Sequence, residues 1–374
     1  MSQHYRSGDH GPAVAEIRSK LTRLGLLSPS TDDAFDESVE TAVRRFQQER
    51  GLTAHGVVDT ATYQVLDEAR WQLGDRLLSY VVGSPLTGDD IVALQRRLTE
   101  LGFDVGQVDG IFSSHTEAAL REFQRNVGLP ADGTCGPSTF KALRRLAPRV
   151  TGGRPDSLRA GEALRAAGTQ LSGKIVCIDP GHGGDDLGNV AGDVVEAEIV
   201  GDVASRIEGR LAAIGVRTFQ TRGLAGPARG DIERAEFANQ TGANLLVSLH
   251  VDVHSNSRAS GISTYHYGLD RPGSNSAIGE QFAGLVQREL VARTGMVDCR
   301  THAKTWALLR RSDMAAVRIE LGYISNPDDA ARLSSPQFRD IITEAVVVAV
   351  QRVYLPSHED AHTGAMRLAD LVER

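Results

Sequence analysis

The chain has 374 residues, 41% hydrophobic and 24% charged, the make-up of an ordinary folded protein with room for two or three domains. A formal net charge of −7 provides no overall attraction for nucleic acid or anionic lipid, and no run of 18 apolar residues marks a membrane span. Cys135, Cys177 and Cys299 are odd in number and far apart, which argues against both a disulfide framework and a thiolate metal cage.

The N-terminal stretch MSQHYRSGDHG has no apolar signal segment, so a cytoplasmic location is the expectation, with export by a non-standard route as the alternative. Shifting the chain against itself by 77 residues lays Leu21, Gly25, Phe35, Phe46, Gln47, Gly51 and Leu66 onto Leu98, Gly102, Phe112, Phe123, Gln124, Gly128 and Leu143. The front of the chain is therefore a duplication, with modules expected over 1–72 and 79–148. In the first copy Val14, Ile17, Leu21 and Leu24 recur at helical spacing and stop at Gly25. A second helix carries Val43 and Phe46 and ends at Gly51, and a third runs from Thr60 to Leu66, so each copy is expected to be a three-helix module.

Each copy resembles the peptidoglycan-binding domain 1 family, through V-x-x-L-Q-x-x-L-x-x-L-G, a D-G-x-F turn and F-Q-x-x-x-G-L-x-x-D-G. The second copy supplies Leu94-Gln95, Asp109-Gly110-Ile111-Phe112 and Asp132-Gly133. The first departs at Arg18, at Asp33-Ala34 before Phe35, and at His55 before Gly56. The resemblance implies glycan binding, with a packing role as the alternative for the first copy. Residues 149–172, rich in Gly, Arg and Pro near their start, read as a linker.

Beyond the linker, strands and helices alternate, which predicts an α/β domain over 173–355 with a twisted, mostly parallel sheet and flanking helices. KIVCIDPGHGG reads as a buried strand cut off by Asp179-Pro180-Gly181, with His182 in the loop at its carboxyl end. Ile199 to Leu211 form a helical face, Val216 onward a strand, and Arg229 to Asn239 a second helix. NLLVSLH is a strand ending at His250, GISTYHY another, Ala277 to Val291 a helix, and Met296 to Thr305 a connecting loop. AAVRIELG carries Glu320 at a strand end, and Ser335-Pro336 opens a final helix that closes at Tyr354. The remainder, 356–374, reads as a polar tail.

Strand ends bring His182, His250 and Glu320 to one edge of the sheet, where ligands bind in such folds, and Glu196 at a helix start faces the same edge. Two imidazoles and a carboxylate make a zinc set with a fourth position open to water, and Glu320 then suits proton transfer. Glu198 rivals Glu196 as the carboxylate. His254, Tyr265, His266 and Tyr267 read as loop or packing residues, and Arg234 and Asn239 as loop-orienting, substrate-orienting or structural groups.

Residues 173–354 resemble the zinc-dependent N-acetylmuramoyl-L-alanine amidase family 3. The matching blocks are Asp179 through Gly184, Glu196, Gln220-Thr221-Arg222, Arg234 through Asn239, Ser248-Leu249-His250 and Glu320 through Asn326. Asp252 departs from the family's Asn. The resemblance implies that His182, Glu196 and His250 hold Zn2+, that Glu320 is the catalytic acid/base, and that the substrate is the amide between N-acetylmuramic acid and L-alanine. A competing expectation is a cytoplasmic, non-hydrolytic regulator of peptidoglycan precursor synthesis with cell-wall synthesis proteins as partners. A lysin released without a signal peptide is a third.

Overall fold

The computed structural model describes residues 4–146, 161, 162, 164, 166, 168–223, 226, 227, 229–269, 276–355 and 362–365. They fall into two compact units, one holding the duplicated modules and the other the α/β domain.

Each module has three helices, α1 (Pro12–Arg23), α2 (Glu37–Glu49) and α3 (Thr60–Glu68) in the first, α4 (Asp89–Glu100), α5 (Ser114–Asn126) and α6 (Pro137–Arg145) in the second. Their starts are written in the sequence: the side chains of Asp36, Asp59 and Ser113 accept from backbone N–H groups three residues on, and Pro12 and Pro137 occupy the first turn. Ile17, Leu21, Phe46 and Leu66, and equally Leu94, Leu98, Phe123 and Leu143, are buried as the two cores.

The repeated Phe-Gln has a physical reason. Gln47 and Gln124 are buried, and each accepts from the N–H of a turn glycine, Gly56 or Gly133, while donating to a carbonyl and a threonine hydroxyl. The departure at Arg18 is compensated: Arg18 donates to the carbonyl of Ala34, the counterpart of the bond from Gln95 to the carbonyl of Ile111. Arg50 grips Asp89 with two bonds of 2.7 and 2.8 Å, tying the first copy to the second.

The second unit is built on a six-stranded sheet of β1 (Ile175–Pro180), β4 (Arg217–Gln220), β5 (Leu245–Asp252), β6 (Ile262–Tyr267), β7 (Asp298–Lys304) and β8 (Ala315–Tyr323), in the order β4-β1-β5-β8-β6-β7. All pairings are parallel except that of β6 with β8. A two-stranded ribbon, β2 (Val190–Ala191) with β3 (Val194–Val195), leads into α7 (Glu196–Ala213). Further helices of this unit are α8 (Asp231–Gln240), α9 (Ala277–Thr294), α10 (Ala307–Arg311), α11 (Pro327–Ser334) and α12 (Pro336–Tyr354).

Alternation along the strands sorts side chains to two faces. Ile178, Val247, Leu249, Val317 and Ile319 meet α7, α9 and α12 in the large core, each such side chain worth about 1.5–3 kcal/mol of burial. Cys177, Leu246 and Ala316 meet the smaller α8 and α10 on the other face. Those two helices leave the carboxyl-terminal part of that face to polar groups.

One expectation is overturned. The connecting loop placed at Met296 to Thr305 contains β7, paired with β6 from Ile262 opposite Asp298 to Tyr267 opposite Lys304. As an edge strand its outward positions are Asp298, Arg300, His302 and Lys304, charged or polar groups that blunt an edge and erase the apolar signature of a strand. Most of the 149–172 linker and of the 356–374 tail lies outside the described residues. Within the tail, 362–365 form a turn whose Gly364 N–H donates to buried Glu289, while the hydroxyl of Thr363 accepts from Arg352. Among the described residues no helix is long and apolar enough to cross a membrane.

Gln95 is fully buried and holds Asp109, Gly110, Ile111 and Thr116. Gln95→Ala is expected to destabilise the first unit by about 2–3 kcal/mol in urea unfolding, because several buried partners lose their bonds together. A loss below about 0.5 kcal/mol would show that solvent repairs the turn.

Candidate metal centre

Four elements deliver the candidate side chains. His182 lies two residues beyond β1, His250 stands in β5 directly opposite Glu320 on the adjacent β8, and Glu196 is the first residue of α7. The Glu196 carboxylate is fully buried, and backbone groups fix both its oxygens: Oε1 accepts from Val251 N–H at 2.9 Å, and Oε2 from Asn189 N–H at 2.8 Å. Glu198, two residues on and so across the helix, is exposed.

The donor atoms converge on a single point. Glu196 Oε1 is 3.2 Å from His250 Nδ1 and 3.5 Å from His182 Nε2, and the imidazole rings meet edge to face with centroids 5.2 Å apart. Ligands about 2.0–2.1 Å from a tetrahedral zinc stand roughly 3.3–3.4 Å from one another, so the two Glu196–histidine spacings suit that ion, and all three donor atoms lie within 4.8 Å of one another. His250 Nε2 is buried with no hydrogen-bond partner, a further sign that the ring is placed for something other than packing. Among the described residues no other His, Cys, Asp or Glu joins the three.

Close approach explains two glycines. A Cβ on Gly181 would stand 1.9 Å from His250 Cε1, and one on Gly188, whose φ is +65°, would stand 2.7 Å from Glu196 Oε2. Supporting bonds complete the corner. Asp186 Oδ2 lies 2.8 Å from His182 Nδ1, orienting the ring so that Nε2 faces Glu196. Arg222 donates to the carbonyls of Pro180 and Ala197, joining the end of β1 to the first turn of α7. Beneath them Asp179, fully buried, accepts from Thr221, Ser248 and Arg234.

Glu320 is 5% exposed, and burial pushes its carboxyl up to about 7, against the pull of Arg318, with Asp252 and Glu196 adding to the rise. Arg318 donates to Glu320 Oε1 from Nε at 2.9 Å and from Nη2 at 2.7 Å. Burial and the nearby Arg318, Arg234 and His182 hold His250 well below the ordinary histidine value, which favours the neutral imidazole that a metal requires.

The other candidates are dispersed. His254 is exposed in the loop after β5, and Asp252 caps the N–H of Val253. Asn239 joins α8 to Arg311 and Asp313, and Arg234 is spent on Asp179 and Asp231, so both act structurally here. His266 and Tyr267 are buried, whereas Tyr265 lies half-buried on the Glu320 face. Asp186, Asn189 and Arg318 escaped the sequence reading. Asp186 had a faint signal in its place just after the His182 glycines; Arg318 had one only if the Glu320 strand is read in alternation.

Residues 176–352 match the N-acetylmuramoyl-L-alanine amidase family, and residues 10–66 and 87–143 each match a peptidoglycan binding domain. The chain is 45% identical to N-acetylmuramoyl-L-alanine amidase CwlM of Mycobacterium tuberculosis over 98% of this chain and 93% of that protein. It is 29% identical to a germination-specific N-acetylmuramoyl-L-alanine amidase of Bacillus subtilis, over 49% of this chain and 81% of that one. A solved N-acetylmuramoyl-L-alanine amidase from Clostridium difficile 630 is 25% identical, covers 48% of this chain and 96% of its own, and has a TM-score of 0.44. With the relationship to the mycobacterial protein running through nearly the whole of both chains, this protein belongs to the N-acetylmuramoyl-L-alanine amidase family, its amidase domain preceded by two peptidoglycan binding domains.

Proposed function

We propose that the chain is a zinc-dependent peptidoglycan amidase that hydrolyses the amide between N-acetylmuramic acid and L-alanine. The observation that carries this reading is the convergence of His182, Glu196 and His250 around one point, with Glu320 on the neighbouring strand. A zinc held by those three supplies Lewis acidity, polarising the amide and making water acidic enough to attack at neutral pH.

The chain's own residues do the rest. Glu320, whose carboxyl lies near 7, takes the proton of the attacking water as the C–O bond forms and returns it to the nitrogen as the C–N bond breaks. The products are a muramic carboxylate and a peptide with a free amine. Asp186 keeps His182 in one tautomer, and the N–H groups of Asn189 and Val251 hold the Glu196 side chain in place. The front modules raise the local concentration of glycan without touching the reacting bond. The non-hydrolytic regulator is separated from this reading by turnover alone.

The purified chain is expected to carry about one zinc, and His182→Ala far less. Equal zinc content in the two, by elemental analysis, would reject the ligand set. Glu320→Gln should retain zinc and lose about 10² to 10⁴ in rate on muropeptide. Turnover equal to the parent's would remove Glu320 from proton transfer.

The same variant has a pH signature after chelation. Because the folded-state value of Glu320 is raised, its contribution to stability is complete below about 4.5 and falls as pH rises through about 7. Metal-free Glu320→Gln should therefore gain on the parent at pH 8, by at most on the order of 3 kcal/mol, and show no such gain at pH 4. An equal difference at both would deny a raised carboxyl.

Removing residues 1–148 is expected to weaken sedimentation with insoluble peptidoglycan while leaving zinc content unchanged. Undiminished sedimentation would assign glycan binding to the amidase domain alone.

A further inference from the structure

The face that bears Glu320 carries a second group of side chains within its reach. Arg318 precedes Glu320 by two residues on β8 and shares its face; it pairs across to Tyr265 on β6, which pairs in turn to His302 on β7. Trp306 stands just beyond β7, where the chain turns into α10. The Tyr265 and Trp306 rings have centroids 4.7 Å apart, and the Arg318 guanidinium lies over Trp306 at 4.7 Å, with Lys304 at 5.9 Å from the same ring. His302 lies 5.7 Å from Tyr265. None of these five is fully buried. Arg318 uses Nε and Nη2 on Glu320 Oε1, so its Nη1 edge is the one not engaged with that carboxylate.

The direction of the reaction gives this shelf a use. Glu320 can protonate the leaving nitrogen only from hydrogen-bond distance, so the departing peptide begins beside Glu320. The aromatic and cationic groups neighbouring Glu320 on β8, β6 and β7 are then among the first surfaces that such a peptide meets. Peptides of the stem class carry carboxylates, which a guanidinium recognises through paired N–H groups, and aromatic faces hold the guanidinium plane while packing on the chain above.

We propose that Tyr265, Trp306 and Arg318 form the subsite for the leaving peptide, in which Arg318 both orients Glu320 and selects an acidic stem. This rests on the hydrolytic reading above. A site that loses a carboxylate partner discriminates more strongly than one that loses apolar contact alone, so selectivity is the property to measure.

The experiment uses the full-length, zinc-loaded chain with N-acetylmuramoyl-L-alanyl-D-glutamate and with the same compound bearing both carboxyls as amides. The parent should prefer the acid by about tenfold or more in kcat/KM, mainly through KM. Arg318→Met should bring that ratio close to one, Arg318→Lys should retain part of it, and Trp306→Ala should raise KM for both compounds. Zinc content confirms that each variant is folded. A parent without preference, or an Arg318→Met variant that slows both compounds equally with the ratio intact, overturns the subsite and leaves Arg318 as a positioning residue for Glu320. If the parent cleaves neither compound, the hydrolytic reading fails by itself. The shelf is then decided by calorimetric titration with the dipeptide L-alanyl-D-glutamate: saturable binding that Arg318→Met abolishes supports it, and absent or unaltered binding overturns it.

Discussion

Holding one carboxylate oxygen within 3.5 Å of two imidazoles, with one imidazole and the carboxylate almost wholly out of water, is the constraint on which the α/β unit depends. Unassisted, such an arrangement is costly, because burial penalises charge and each orphaned polar atom forfeits its hydration. The local architecture meets that cost in three ways. Backbone N–H groups from the loop before the β2–β3 ribbon and from the end of β5 stabilise the Glu196 carboxylate. Glycines at 181 and 188 remove the side chains that would otherwise collide with His250 and Glu196. Burial and neighbouring positive groups hold His250 well below the ordinary histidine value, which favours the neutral imidazole that a metal would require.

The sheet order then explains how the candidate site is assembled. β5 and β8 lie side by side at the centre, so His250 and Glu320 become neighbours despite their separation in sequence. On one face α7, α9 and α12 seal the apolar core, while on the other α8 and α10 cover only part of the sheet. The polar remainder of that second face holds the candidate site. The antiparallel placement of β6 beside β8 sets Ser263 opposite Glu320 and Tyr265 opposite Arg318, extending the chemical face toward the sheet's outer edge. His250 and Glu320 stand on strands and not loops, which suits groups that must keep one geometry.

The duplicated modules show a different economy. Each turn is closed by a buried side chain that satisfies backbone groups no regular element would reach, Gln47 and Gln95 among them. Arg18 shows that the identity of the residue matters less than its reach: a guanidinium satisfies the carbonyl of Ala34 where an amide satisfies that of Ile111. Divergence between the copies at this position is therefore compatible with the same fold.

Periodicity and punctuation made most of the architecture legible from sequence. The 77-residue repeat, the helix start at Ser335 and the strands ending near His182 and His250 rest on sequence patterning, while the candidate set of His182, Glu196, His250 and Glu320 took the strand ends together with the resemblance to the amidase family. β7 could not be read that way, because an edge strand exposes one side and needs no apolar alternation to pair with β6. Nor could the roles of Arg318 and Asp186, whose partners are fixed by strand alternation and by the path of a loop. That Arg234 and Asn239 serve the scaffold depended on which distant groups, Asp179 and Arg311, the fold brought to them. The sequence by itself determined the chemical inventory and the elements that carry it; tertiary structure decided the contacts, because register and sheet order bring together residues that no local pattern connects.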